Sequence, residues 1–338
     1  MKYLKWATAL LIIFFITVIG CVGSEKIDNA NSHNNVQGAK ATMKKYFFGR
    51  YALSVPIGLP LDEHNARIRE IQIIESKWPN SSNKESSRNN MWDENISEID
   101  KRRKPDGIKN TIIEQRTLSS GAQWSKAVCY YGDHTQNDEV FWDLLIDAGE
   151  SGVWLKYNGL IEAKEEMYKW VLDVAKTYKP NGKNISYNPS DNLFYLKHGT
   201  ISVPYKYQES TYARFEGHPL DLKLELEMTE THTEEPEDEG LLARTAALIA
   251  TGYATGVDIE RLRFRKRKVA GLDGEEEVDR MADKHRKALS FMWRYAGKKD
   301  SGEYPEIVLE MESPDGNLKE KLKIWDAILE SMKPLYKK

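Results

Sequence analysis

Tyr51-Ala52-Leu53-Ser54-Val55-Pro56 is followed later in the chain by Gly199-Thr200-Ile201-Ser202-Val203-Pro204, and this pair decides the fold. Each is an apolar residue, then Ser, Val and Pro. That pattern reads as a short strand ended by proline, which cannot donate to a sheet ladder. A longer strand follows each opening. In the second copy Leu220, Leu222, Leu224, Leu226 and Met228 alternate with Asp221, Lys223, Glu225 and Glu227, a period of two that buries one face and wets the other. In the first copy Ile68, Ile71, Ile73 and Ile74 alternate less cleanly over 66–75. Each copy closes on an amphipathic helix. Ala163, Met167, Trp170, Val171, Val174, Ala175 and Tyr178 keep helical spacing, as do Leu318, Leu322, Trp325, Ile328, Leu329 and Met332. Both helices run into Lys-Pro, a stop signal, and Trp170 and Trp325 read as matching core residues. A further helix is expected over 238–251, ended by Gly252 and Gly256. The fold class expected is α+β: two similar domains, each a mainly antiparallel sheet with helices packed on one side.

Working outward, the chain begins with Lys2 and Lys5, an apolar run from Ala7 to Val18, and Gly20-Cys21. A basic start, a short apolar run and a small residue at the cut site describe a secretory signal peptide. The cysteine after that small residue resembles a bacterial lipobox, making Cys21 the lipidation site and first mature residue. The alternative is one membrane helix, but the run falls short of the roughly 20 residues a span needs. The expected organisation is a signal peptide over 1–20, a polar tether over 21–44, an N-terminal domain over 45–180, a linker over 181–195 and a C-terminal domain over 196–338. The tether lacks the large apolar side chains needed to order itself. Lys179 to Leu193, with Pro180, Gly182 and Pro189, carries the linker signal. The polar stretch 79–110 reads as a long insertion with one short helix at about 91–102.

Hydrophobic residues make up 40% and charged residues 30%, which suits a globular body and not a membrane bundle. The net charge of -3 gives no global reason to bind nucleic acid. With Cys21 acylated, Cys129 has no partner, and its apolar neighbourhood reads as a buried, inert thiol.

The chemistry-bearing motifs are sparse. There is no Gly-x-Ser-x-Gly elbow, no His-Glu-x-x-His, no P-loop and no Gly-x-Gly-x-x-Gly. Glu230-Thr231-His232-Thr233-Glu234-Glu235 mixes His with acids but lacks ligand spacing on one helix face, so no metal and no cofactor is expected. Two clusters remain. Arg261, Arg263, Arg265 and Arg267 share parity on one strand. They read either as a solvated sheet face or as a grip for an acidic partner surface, because guanidinium forks bind carboxylates bidentately. Gly271 and Gly274 then form a turn leading into Glu275 and Glu276.

The run Val269-Ala270-Gly271, one more turn and Gly274-Glu275-Glu276 resembles the signature loop of the immunity proteins that neutralise class-4 lipase effectors of the bacterial type VI secretion system. Gly49-Arg50-Tyr51-Ala52-Leu53-Ser54-Val55-Pro56 is similar to that family's first strand, and the resemblance spans roughly 45–335. It implies a periplasmic, lipid-anchored binding protein. Its partners would be a secreted phospholipase, which two jaw-like domains inhibit sterically, and the membrane through the anchor, with no nucleic acid. No catalytic residue carries over. The candidate partner-binding residues are Arg261, Arg263, Arg265, Gly271, Gly274, Glu275 and Glu276, with the Gly271–Glu276 loop favoured in a structural role. The alternatives are an envelope lipoprotein acting as scaffold or ligand-binding module, and an envelope hydrolase.

Overall fold

The structure, a computed structural model, describes residues 42–79, 81–118, 124–132, 134–181, 193–203, 208–236, 239–250 and 257–336. Cys21 and residues 182–192 lie outside them.

The chain order is one list read twice. The first pass runs β1 (Met43–Phe48), β2 (Tyr51–Pro56), β3 (Leu61–Ile68), β4 (Ile71–Lys77), α1 (Lys84–Asp100), β5 (Ile112–Leu118), β6 (Ser125–Tyr131), β7 (Glu139–Asp147), β8 (Ser151–Leu160), α2 (Lys164–Ala175) and β9 (Tyr178–Pro180). The second runs β10 (Leu193–Tyr195), β11 (Gly199–Ser202), β12 (Glu209–Phe215), β13 (Lys223–Thr229), α3 (Leu241–Ala250), β14 (Asp258–Val269), β15 (Leu272–Ala282), β16 (Lys287–Tyr295), β17 (Glu306–Pro314), α4 (Leu318–Ser331) and β18 (Lys333–Pro334). The last three residues of the stretch read as a linker therefore form β10.

Both passes join in one 12-stranded antiparallel sheet, ordered β14-β15-β16-β17-β13-β12-β3-β4-β8-β7-β6-β5. From the centre outward, the strand order of one half repeats in the other. The halves meet at the β3–β12 ladder, where Asn65 faces Tyr212, Ala66 faces Thr211 and His64 faces Ala213. A pseudo-twofold axis through Asn65 and Tyr212 exchanges those flanking pairs. The small sheets β1-β2-β18 and β10-β11-β9 obey the same relation. Lys333 pairs with Ala52, and Lys179 pairs with Thr200. Leu53-Ser54 and Ile201-Ser202 of the two openings are thus structurally equivalent, and Pro204 lies outside the described residues.

The cores do not follow the sequence halves. Phe48, Tyr51, Leu53 and Val55 of the opening hairpin pack with Leu224, Leu226, Phe291, Trp325 and Ile328 of the second half-sheet and its helix. Conversely, Phe194, Leu196, Ile201 and Val203 pack with Ile73, Trp142, Leu155 and Val171 of the first. Each opening hairpin covers the other copy's sheet, so the hydrophobic contacts cross the boundary expected at 181–195. Strand alternation sets this up: Leu224, Leu226 and Met228 are buried while Lys223, Glu225 and Glu227 face outward.

The 79–110 stretch has a counterpart in the second pass, because α1 and α3 hold the same position in chain order, each between the fourth and fifth strands of its pass. The helix begins earlier than expected, with Asn83 Oδ1 accepting from Ser86 N at 3.2 Å as N-cap. Helix α1 lies on the opposite sheet face from α2. Trp92 and Ile99 pack on Val128, Tyr130, Leu145 and Trp154, while Ala127 and Cys129 face the α2 side. Cys129 is buried, and burial pushes its thiol up to about 12. Trp170 departs from expectation: it is 37% exposed, whereas Trp325 is fully buried. The Lys-Pro stops align Trp325 with Val171. Trp170 sits one residue earlier, about 100° around the helix, against Tyr157. Among the described residues no helix is long and apolar enough to cross a membrane.

Candidate partner-binding site

The sequence pointed to the hairpin β14–β15, and its charges turn inward. Val269 pairs with Leu272 across a two-residue turn in which Ala270 and Gly271 have φ of 55° and 83°. Two positive φ values define a type I′ turn, the form that matches strand twist, and Gly271 meets it without strain. Gly274 is needed for space, since a Cβ there would lie 2.6 Å from the Trp293 ring. Glu275 Oε2 accepts from Leu242 N at 3.0 Å, placing a carboxylate on the N-terminus of α3.

Glu276 is the hub, with its side chain fully buried. It receives Arg263 Nη1 at 3.0 Å, Arg265 Nε at 2.6 Å, Arg267 Nη1 at 2.8 Å and Trp325 Nε1 at 2.9 Å. Asp326 on α4 takes both Arg263 nitrogens, at 2.6 and 2.9 Å, and Arg267 at 2.7 Å. Burial alone would raise both carboxyls. Hydrogen bonds from Arg265 and Arg263 to Glu276, and from Arg263 and Arg267 to Asp326, outweigh it and hold both below their ordinary values. This cluster ties the sheet edge to the closing helix.

The shared parity of the four arginines breaks at a register shift between Arg261 and Arg263. Arg261 lies over the Phe264 ring at 4.1 Å, and Phe264 is 37% exposed. Of the sequence-predicted arginines, Arg261 and Arg265 remain accessible to a partner, while Arg263 is mostly spent inside. Gly271, Gly274, Glu275 and Glu276 serve turn, packing, capping and core.

The sequence reading missed Asp326, which meets the arginines only through the fold. It also missed the acidic outer face of β13, β15 and β17. Its signal was present in the alternation of Glu225 and Glu227, of Glu306, Glu310 and Glu312, and of Glu275, Glu277 and Asp279. The mixed run at 230–235 does gain a ligand-like neighbour. Carboxylates of Glu230 and Asp300 and a His232 nitrogen lie within 4.8 Å of one another. Glu230, however, accepts from the Gln208 and Glu209 amides, and His232 pairs with Asp300 at 3.0 Å. These contacts close a loop. A cavity beside Gly49, Phe194, Thr211 and Met228 holds about 20 Å³, room for a water and not for an organic ligand.

The architecture defines a class first: an internally duplicated antiparallel α+β protein whose halves exchange their opening hairpins. Residues 189–334 match the family model described as the Tle cognate immunity protein 4 C-terminal domain. The fold extends the likeness to the rest of the body. The apo immunity protein TplEi of T6SS from Pseudomonas aeruginosa superposes with a TM-score of 0.70 at 17% identity, covering 88% of this chain and 98% of that one. A chain of the Tle4–Tli4 complex superposes at 0.71 and 17% identity, covering 89% and 100%. TplEi complexed with an "L" peptide gives 0.63 at 17% identity, covering 88% and 100%. No curated protein sequence matches this chain.

Proposed function

We propose that this chain is an immunity protein that binds a cognate secreted lipase effector and blocks it sterically, with no chemistry of its own. The match of residues 189–334 to the Tle cognate immunity protein 4 C-terminal domain carries this reading. The fold likeness to a chain of the Tle4–Tli4 complex supports it over 89% of the length. Inhibition of this kind needs a complex that outlasts the toxin's exposure, so affinity is set mainly by slow dissociation. An interface of at least the standard ~1,600 Å² is expected. Signal-peptide cleavage before Cys21 and acylation of its thiol place the body on the periplasmic side of a membrane, where such an effector acts. More than one acyl chain suffices for stable anchoring.

The test is co-purification of the mature chain with a candidate cognate lipase effector, followed by a lipase assay. The complex is expected to be recovered and inactive. A mature chain that neither binds nor lowers lipase activity contradicts the proposal. For export, Cys21→Ser is expected to leave a soluble or unprocessed precursor. A cleaved, membrane-bound product from that variant contradicts the anchor.

A further inference from the structure

The pseudo-twofold axis that crosses the β3–β12 ladder also passes between the two opening hairpins. The turn Gly49-Arg50 of the first hairpin matches Lys197-His198 of the second, so Phe47 matches Tyr195 and Phe48 matches Leu196. Phe47 and Tyr195 stack on each other with ring centroids 5.4 Å apart. Gly49 N donates to Tyr195 O at 2.9 Å, and Tyr195 N donates to Gly49 O at 2.8 Å. His64 and Thr211 hold matching positions in the central ladder, and they meet at 3.1 Å between Nε2 and Oγ1. Matching residues that touch each other mark an isologous interface, in which one patch is complementary to itself.

This interface has the make-up of one that holds separate chains. Phe48, Leu53 and Val55 of the first half and Phe194, Ile201 and Val203 of the second are each 4% exposed or less, and each set packs in the other half's core. Contacts between domains of one chain are ordinarily more polar, whereas an obligate dimer buries what resembles a domain core cut in half. A buried ion pair crosses as well. Arg50 Nη2 and Nε donate to the Glu209 carboxylate at 2.6 and 2.7 Å, with both side chains 6% exposed. Backbone ladders cross at three places: β3 with β12, β2 with β18, and β11 with β9. In the last two, each hairpin pairs with the strand that follows the other half's closing helix.

We propose that the two halves, residues 42–181 and 193–336, form a pseudo-homodimer within one chain, and that this interface holds them together without the peptide link between Asn181 and Leu193. A chain nicked there keeps its fold and the surface it offers to a partner. Neither half is complete alone, because each lends its hairpin to the other's core. The inference stands independently of the immunity reading.

The experiment inserts a protease site into the full mature chain between Asn181 and Leu193, cuts the folded protein, and compares cut and uncut forms by size and thermal melting. The two pieces are expected to co-elute at the size of the uncut body at about 1 μM, far below the ~mM effective concentration that a short flexible link supplies. The cut form is expected to melt in one transition whose midpoint rises with concentration, while the uncut midpoint stays fixed. Pieces that separate at about 1 μM, or that melt in two transitions independent of concentration, overturn the inference. Arg50→Met locates the contact, since it leaves Glu209 buried without its partner. Its cut form is expected to dissociate at a concentration about a hundredfold higher than the parent's, the scale for breaking a buried ion pair. Arg50→Lys keeps the charge and loses the fork, so its cut form is expected to fall between the two. Cut Arg50→Met and Arg50→Lys forms that dissociate no more readily than the parent overturn the interface assigned here.

Discussion

The two half-sheets share strand order, closing helix and exchanged hairpin, and differ in what they do with their surfaces. The first covers its outer face with α1 over Trp78, Trp154 and Tyr130, and places Ala127 in its inner core. The second leaves its outer face acidic and places Glu276 at the ladder position equivalent to Ala127. Each edge strand nonetheless grips its own closing helix through arginine. Arg116 reaches Glu165 at 2.6 Å in the first half, and Arg263 and Arg267 reach Asp326 in the second. The duplication therefore preserves the framework contacts, and the second half departs where charge is concentrated. A duplicated scaffold frees one copy's surface to specialise once the shared core is secured.

The largest expected effect comes from separating the halves. Residues 196–338 produced alone lack Phe48, Leu53 and Val55, which belong to their core. They are expected to show no cooperative thermal transition, and a sharp transition would break the exchanged-hairpin account. Next, Trp325→Ala should cost about 3–5 kcal/mol by denaturant unfolding, the range for a large core aromatic, and it also strips a donor from Glu276. Trp170→Ala should cost under about 1 kcal/mol, since that ring is partly exposed. Equal losses at the two sites would mean that the helices align tryptophan to tryptophan after all.

A smaller effect separates the outer faces by pH. Glu310 binds its proton more tightly when folded, with a value of about 7 against an ordinary 4.5. The folded state then holds more protons than the unfolded one in that window, so stability falls as pH rises from about 4.5 to about 7. The groups facing it are Glu225, Glu312, Glu227 and Lys223. Melting curves across this range should show Glu310→Gln losing less stability on the alkaline side than the wild type. Parallel curves would contradict the shift.

Much of this was legible in the sequence because local rules and tertiary structure agreed. Proline ended β2, period-two alternation marked β13, and Lys-Pro stopped α2 and α4. The Gly271–Glu276 loop was read as a structural landmark, and its geometry has that character. Other features were hidden for physical reasons. A run of Ser, Asn and charged residues masked the start of α1, whose apolar stripe is thin and whose N-cap is a single Asn83 side chain. A register shift at Arg261 broke a parity argument that assumes an unbulged strand. Asp326 meets the arginines only across the fold, and hairpin exchange has no local signature at all. The acidic face was visible as alternating Glu, but a solvated strand looks the same until the partner strands bring more carboxylates alongside.

The central claim is stoichiometric inhibition by a protein without chemistry of its own, and a titration tests it most directly. Lipase activity of the candidate cognate effector is measured against increasing equivalents of the mature chain, with effector well above the dissociation constant. The account predicts a linear fall to zero at one equivalent, with active lipase recovered when the complex is dissociated. Undiminished activity at excess, or complete and irreversible inactivation by a small fraction of an equivalent, would contradict it.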